Sequence, residues 1–377
     1  MGADRAIGTA SALAHLVRRA SSGSPTKPRH GGGRRSALVV FGGVLVLAAL
    51  VLTAAGVLVG ARRREILRNA ARRSRHGSHA HRSTSASEEI PRIVHQSWPT
   101  RTIPRGLLPY VESWRHHAAD WEYRLWTDAA NEALVRAQYS WLQPTYERLT
   151  NIQRADLARY LYMHAHGGVY ADLDMELLQP LDPVLDAARG ADGANASVVL
   201  GQEPLEHALL LYGQTRLVCN AILASPPRHP FWLFLLRRLL ERVETAPDDD
   251  PVSTTGPRML EAAVDQWRAA HPGADDVRVL APAAFYPDWD PGAKESFVNK
   301  CVEYRELPSL EGAQYQATAD AKAVCARLEA QKYAQAPHGA DSYTVHHWVH
   351  TWLGWDQNKV DMADQVELPA SVEVKPG

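Results

Sequence analysis

The pattern of apolar and polar positions divides the chain into unlike stretches. Between Arg35 and Arg62 run 26 uncharged residues dominated by Leu, Val and Ala. At about 1.5 Å per helical residue the run reaches roughly 39 Å, more than the ~30 Å of a bilayer's hydrocarbon core. It lacks the polar stripe of a buried core helix, and it exceeds the roughly 7–15 residues of a signal peptide's apolar region. Residues 36–61 are therefore expected to form one transmembrane helix. Residues 1–35 then read as a basic cytosolic tail. Residues 62–87 are Arg, His, Ser and Gly without apolar periodicity and read as a disordered stalk. His76, His79 and His81 fall in that stalk, where nothing holds a ligand geometry, so no metal site is expected there. Flanking charge does not decide orientation: Lys27, Arg29, Arg34 and Arg35 precede the run, and Arg62, Arg63, Arg64 and Arg68 follow it.

Beyond the stalk, residues 88–377 alternate between two periods and are expected to form one domain. Residues 90–98 begin with the strand-like Ile93-Val94-His95, and residues 122–126 alternate as a second strand. Asp128 is expected to cap a helix running to Arg136. Over 151–166 apolar residues stand at 152, 155, 158, 161, 162 and 165, a helical spacing, and Gly167-Gly168 stops that helix ahead of a strand at 169–173. Further strands are predicted at 198–200, 277–280 and 343–348, helices at 230–243 and 257–270, and a long loop-rich insertion at 287–341. Strands alternating with helices predict an α/β sandwich around a mostly parallel sheet.

Composition changes this picture in one respect. The net charge of −1 averages a tail and a body: residues 1–82 hold 15 Arg/Lys against two acids, and the remainder holds 26 against 40. An acidic body disfavours nucleic acid as a partner, because phosphate backbones need a basic face. Cys219, Cys301 and Cys325 lack CxxC spacing for zinc or redox work. GxGxxG, Walker A, HExxH and GxSxG signatures are absent.

The candidate chemistry centres on Asp172-Leu173-Asp174. Two other Asp-x-Asp pairs, Asp248/Asp250 and Asp288/Asp290, sit among prolines and read as solvated loop acids. The first pair instead ends a buried strand, where carboxylates one residue apart face the same side. With no compensating neighbour in sequence they would repel and raise each other's pKa. Mg²⁺ or Mn²⁺ removes that cost; a polar strand end is the plainer alternative. On the preceding helix Asp156 and Arg159 share a face. They form either a surface ion pair worth about 0.2–0.5 kcal/mol, or a site in which Arg159 offers its fork to phosphate or sugar hydroxyls and Asp156 accepts from hydroxyls.

Taken together, Asn151-Ile-Gln-Arg-Ala-Asp156-Leu-Ala-Arg159-Tyr and His166-Gly-Gly-Val-Tyr170-Ala-Asp172-Leu-Asp174 resemble the DXD-containing sugar transferases of glycosyltransferase family 32. Ile90-Pro-Arg-Ile-Val-His-Gln-Ser-Trp98, Tyr123-Arg-Leu-Trp-Thr-Asp128, Thr255-Gly-Pro257 and His346-His-Trp348 agree in order. The likeness covers about residues 90–260 and 342–355. It implies a GT-A-like, Rossmann-type nucleotide-sugar domain and assigns roles. Trp98 stacks on the donor's base, and Tyr170 lines the donor pocket. Asp156 and Arg159 bind the donor sugar, with Arg159 also near the diphosphate. Asp172 touches ribose and sugar, and with Asp174 holds the metal. His346-His347-Trp348 closes over the diphosphate. A strand turns only one of two adjacent histidines inward, and the H-x-W spacing favours His346 as the one facing the metal. Core packing is the alternative for Trp98 and Trp348, and the expectation for Trp114, Trp121 and Trp141. Thr255-Gly256-Pro257 reads equally as an anion-facing helix start or a bare helix start and is not counted in the site.

The reaction so implied is metal-dependent, retaining transfer of a sugar from a nucleotide-sugar donor to a hydroxyl of a glycan or sphingolipid. GDP-mannose is the favoured donor, with UDP-galactose or UDP-N-acetylglucosamine as alternatives. The anchor fits a single-pass type II membrane enzyme of the Golgi or ER, its catalytic domain in the lumen. In that compartment Cys301 and Cys325 can pair, leaving Cys219 free, and the sequon at 195–197 is an acceptor for glycosylation. A haloacid-dehalogenase-type phosphatase also uses Asp-x-Asp after a strand but wants Thr or Val where Met175-Glu176 follow. A silent membrane-anchored lectin would be betrayed by lost carboxylates, and both are kept.

Overall fold

A computed structural model describes residues 89–369, apart from 190–197, 247–248, 309–311, 313–315 and 352–359. The anchor at 36–61, the stalk, the sequon and Asp248 lie outside the described residues. Among the described residues no helix is long and apolar enough to cross a membrane.

The strands and helices alternate as the periodicity predicts. In chain order they are β1 (Ile93–Ser97), β2 (Thr102–Pro104), α1 (Leu108–His117), β3 (Glu122–Trp126), α2 (Asp128–Gln138), α3 (Asn151–Ala165), β4 (Gly168–Ala171), β5 (Met175–Leu177), α4 (Asp182–Arg189), β6 (Val198–Gln202) and α5 (Leu205–Leu210). They continue as β7 (Val218–Ser225), α6 (Pro230–Thr245), α7 (Pro257–Ala270), β8 (Val277–Leu280), α8 (Lys294–Glu306), α9 (Gln316–Ala330), β9 (Thr344–His346) and β10 (Gln365–Glu367). Six strands make the main sheet in the order β3-β1-β4-β7-β6-β8. Only β7 runs against the others, pairing antiparallel with β4 and β6, so the expected mostly parallel sheet is what forms.

Both faces of this sheet are covered. Tyr170, Val198 and Leu200 enter one core with Tyr160 of α3, Leu235 of α6 and Leu260 of α7. Their strand neighbours Val169, Ala171 and Val199 enter the opposite core with Trp114 of α1. Burial on both faces is why these strands read as apolar runs rather than alternating ones. The turn from α3 into β4 needs both its glycines. Gly167 and Gly168 have φ of 66° and 91°, and a Cβ at either would come within 2.5 Å of backbone, of Pro227 N and Ile93 O respectively.

Several sequence expectations are corrected. The eight-residue β7, buried throughout, has no counterpart in the predicted elements. The strand at 169–173 stops at Ala171, and the one at 343–348 shrinks to Thr344–His346. Asp128 is the first helical residue rather than the cap; the Thr127 side chain accepts from Ala130 N at 3.2 Å. The insertion is not loop-rich. It holds α8 and α9, bridged by the Cys301–Cys325 disulfide, whose Phe297, Val324 and Leu328 pack on Leu209 and Leu210 of α5. Trp114 and Trp121 are buried as expected, but Trp141 stands 39% exposed.

Candidate active site

The carboxyl ends of the parallel strands open into a cleft of about 680 Å³, the usual place for a ligand on a sheet of this kind. All eight residues proposed from sequence line it: Trp98, Asp156, Arg159, Tyr170, Asp172, Asp174, His346 and Trp348.

The metal candidates converge by a turn, not by a shared strand face. After Ala171 the chain reverses, with Met175 N–H donating to Asp172 O at 3.0 Å. Gln96 Nε2 donates to the same carbonyl at 3.1 Å, and Asp172 N–H to Ala221 O at 2.8 Å. β5 then pairs antiparallel with β9, setting Met175 opposite His346. Ligand atoms of Asp172, Asp174 and His346 thereby fall within 4.8 Å of one another. His347 points elsewhere, its Nε2 2.9 Å from Glu176 and its ring stacked on Tyr110 at 3.9 Å. Two carboxylates and an imidazole form a donor set suited to a divalent first-row ion. His346 also keeps a buried Nδ1 with no hydrogen-bond partner.

The two aspartates are not electrostatic twins, as their sequence spacing suggested. Burial pushes Asp172 up, Arg159 pulls it back, and the Asp174 charge adds to the rise. For Asp174 burial acts upward too, but His346 and the Val349 N–H hold it below the ordinary carboxylate range. That N–H donates to Oδ2 at 2.8 Å, and His346 Nε2 lies 3.4 Å from the same oxygen. Reciprocally, Asp174 raises His346 against the downward push of burial. The expected repulsion therefore persists at Asp172 and is offset at Asp174 by His346 and the Val349 N–H.

Asp156 and Arg159 are not a surface pair. Each side chain is only 6% exposed, at 3.4 Å separation, and Arg159 Nη1 also lies 2.9 Å from Asp172. Arg159 donates to Asn220 O at 2.9 Å and lies 4.8 Å over the Tyr170 ring, whose hydroxyl donates to Asp172 Oδ1. Asp156 accepts from Asn220 Nδ2 at 2.8 Å and from Thr255 Oγ1 at 2.7 Å. Burial raises its pKa, and Arg159, Thr255 and Asn220 counter the rise. Such saturation makes Asp156 the post that aims Arg159.

Thr255 and Asn220 are the residues that sequence reasoning missed. Thr255 was visible in the Thr-Gly-Pro motif. Gln153 Nε2, at the start of α3, donates to Thr254 Oγ1 at 2.9 Å and ties that motif to the helix. Asn220 sits on the unpredicted β7. The Asp288/Asp290 pair is also corrected: its side chains are largely buried, and His338 and His350 approach them at 2.7 and 3.0 Å. Asp290 and His350 both line the cleft. Trp348 adopts φ of 52°, packs tilted against the His346 ring at 4.0 Å and donates from Nε1 to Asp288 O at 3.2 Å. Trp98 is half-buried in the cleft lining, packed against the cluster of Leu107, Leu173 and Val349, its backbone N–H donating to Trp126 O at 3.0 Å.

Comparison with known proteins agrees with this geometry. Residues 104–191 match the family described as "glycosyltransferase sugar-binding region containing DXD motif". Inositol phosphoceramide mannosyltransferase 1 of Schizosaccharomyces pombe is 33% identical over 148 residues, 38% of this chain and 41% of that protein. Mannosyl phosphorylinositol ceramide synthase SUR1 of Saccharomyces cerevisiae is 31% identical over 202 residues, 52% and 47% of the two. The initiation-specific alpha-1,6-mannosyltransferase of S. pombe is 24% identical over 182 residues, 46% and 45%. The chain thus spans under half the length of these relatives. The resemblance read from the sequence, to DXD sugar transferases with mannosyltransferases among them, is borne out.

Proposed function

We propose that this chain is a metal-dependent, retaining mannosyltransferase that moves mannose from GDP-mannose to a hydroxyl of a glycolipid or glycan. The observation that carries the proposal is the Asp172, Asp174 and His346 donor set beside a guanidinium buried in the same cleft. Trp98 stacks on the base. Arg159, aimed by Asp156, sets a fixed positive charge where negative charge gathers on the departing diphosphate. A divalent cation, Mn²⁺ before Mg²⁺ because one ligand is an imidazole, supplies Lewis-acid stabilisation there when bound. The bond from the anomeric carbon to the diphosphate breaks, the acceptor oxygen bonds that carbon on the same face, and the acceptor's proton passes to the departing phosphate.

The acceptor reading draws on the cleft's mouth. Leu211, Tyr212 and Met362, all exposed, line it and give an apolar rim. Such a rim suits an acceptor whose hydroxyl head adjoins a lipid, in keeping with the ceramide relatives' names. We place the enzyme in the Golgi or ER membrane, held by residues 36–61 with its catalytic domain in the lumen. The Cys301–Cys325 disulfide supports an oxidising compartment.

A hydrolysis screen of GDP-mannose, UDP-galactose and UDP-N-acetylglucosamine with Mn²⁺ tests the proposal. GDP-mannose turnover is expected. Preference for a UDP-sugar would replace the donor, and phosphatase activity without sugar-nucleotide turnover would overturn the reading. In the same assay Trp98→Ala should weaken donor binding by about 1–3 kcal/mol, the worth of stacking a base on an aromatic ring, with partial recovery in Trp98→Phe. An unchanged dissociation constant would make Trp98 a packing residue.

A further inference from the structure

One further carboxylate of the cleft, Glu203, stands outside the candidate metal set. Trp98, Asp172 and Glu203 each follow directly on the last residue of a strand, β1, β4 and β6 respectively. These strands are mutually parallel, so all three residues lie on one edge of the sheet. In the order β1-β4-β7-β6, Glu203 lies two strand positions beyond Asp172, on the side away from Trp98. At about 4.8 Å per strand that offset is roughly 10 Å, the reach of one hexose past a diphosphate held at Asp172 and Asp174. The register shift between Leu200 and Gly201 sits just before it, a place where bulges re-aim side chains.

Glu203 is built into this position. Its N–H donates to Leu217 O at 2.9 Å, and its side chain is 7% exposed yet lines the cleft. His207 Nδ1 lies 2.9 Å from Oε2. The other ring nitrogen, Nε2, accepts the backbone N–H of Asp290 at 2.8 Å. A backbone N–H only donates, so Nε2 carries no proton, and His207 is the neutral tautomer that donates from Nδ1 to Glu203. Trp348 packs edge-on against His207 at 4.6 Å. Among the described residues no lysine or arginine pairs with Glu203. A buried carboxylate without a guanidinium or ammonium partner is costly, and the cost is relieved where positive charge arrives.

We propose that Glu203, oriented by His207, contacts the transferred hexose, accepts from its hydroxyls and stabilises the positive charge that builds at its anomeric carbon. No bond forms to Glu203. The backbone of Asp290, at the head of the insertion, thereby gains a role: it fixes the tautomer that leaves Glu203 its full charge. The proposal rests on the transferase reading, and its test separates the two.

The test compares Glu203→Gln and Glu203→Asp with the wild type, measuring the GDP dissociation constant with Mn²⁺, the transfer rate from GDP-mannose and the melting temperature. Glu203→Gln is expected to bind GDP as the wild type does while kcat falls about 100-fold or more, as when one electrostatic stabiliser of a transition state is removed. Glu203→Asp keeps the charge and should transfer at least about ten times faster than Glu203→Gln. A merely structural glutamate would lower the melting temperature and weaken GDP binding without selecting kcat. GDP binding with Glu203→Gln turning over at the wild-type rate, or Gln and Asp equally slow, overturns the proposal. Failure of the wild type to bind GDP or turn over GDP-mannose overturns the transferase reading itself, and this proposal with it.

Discussion

Asp174→Asn is expected to lower transfer by more than about 100-fold, beyond the loss typical of a partner outside the ligand shell, and to abolish the rise in melting temperature that Mn²⁺ gives the wild type. An ion that binds only the folded state at about 100 times its dissociation constant stabilises by roughly 2.7 kcal/mol, and a protein that has lost a ligand forfeits this. The metal-free comparison carries its own sign. Asp174 is held below the ordinary carboxylate range in the fold, so its charge contributes stability that is present above the unfolded carboxylate pKa and lost as pH falls. At neutral pH the metal-free variant should therefore melt below the metal-free wild type. Relief of repulsion, the expectation from spacing alone, predicts the reverse. Asp186→Asn, on the exposed side of α4, is a suitable control. Asp290→Asn is not, because Asp290 lines the cleft. Equal Mn²⁺ shifts in wild type and Asp174→Asn, with transfer retained, would remove this carboxylate from the metal site.

Arg159→Ala is expected to be the most destabilising single change in the cleft. It leaves the buried Asp156 and the partly exposed Asp172 without their shared cation, and breaking a buried pair by removing one partner costs about 3–5 kcal/mol. Urea unfolding measures the loss. The double variant Arg159→Met with Asp172→Asn removes one stranded charge as well and should recover part of that stability while staying inactive. If Arg159→Ala unfolds at the wild-type urea concentration, the network does not bear on the fold in the way the distances indicate.

What was legible in the sequence follows the range of the forces involved. The α3 periodicity, the Gly-Gly turn and the DXD run are local signals, and the family resemblance they carry implies that Arg159 and Asp172 share one site. β7 was invisible because its Val-Cys-Asn-Ala start breaks the apolar run, and its burial comes from neighbours on both faces rather than from its own pattern. With β7 went Asn220, which holds Asp156. The helices of the insertion were missed because their core faces are thin, Phe297 and Cys301 in one and Ala321, Val324, Cys325 and Leu328 in the other. Glu203 and His207 had no motif at all. Their pairing depends on the backbone of Asp290, 83 residues further along the chain, and a contact of that separation leaves no trace in local spacing.

Calorimetric titration of the protein with GDP, with Mn²⁺ present and again in EDTA, tests the central claim most directly: that this cleft holds a nucleoside diphosphate through a cation bound by Asp172, Asp174 and His346. The account predicts a one-to-one binding isotherm with Mn²⁺ that disappears in EDTA and is lost in Asp174→Asn. Binding of equal strength in EDTA, or no binding of GDP under either condition, would contradict it.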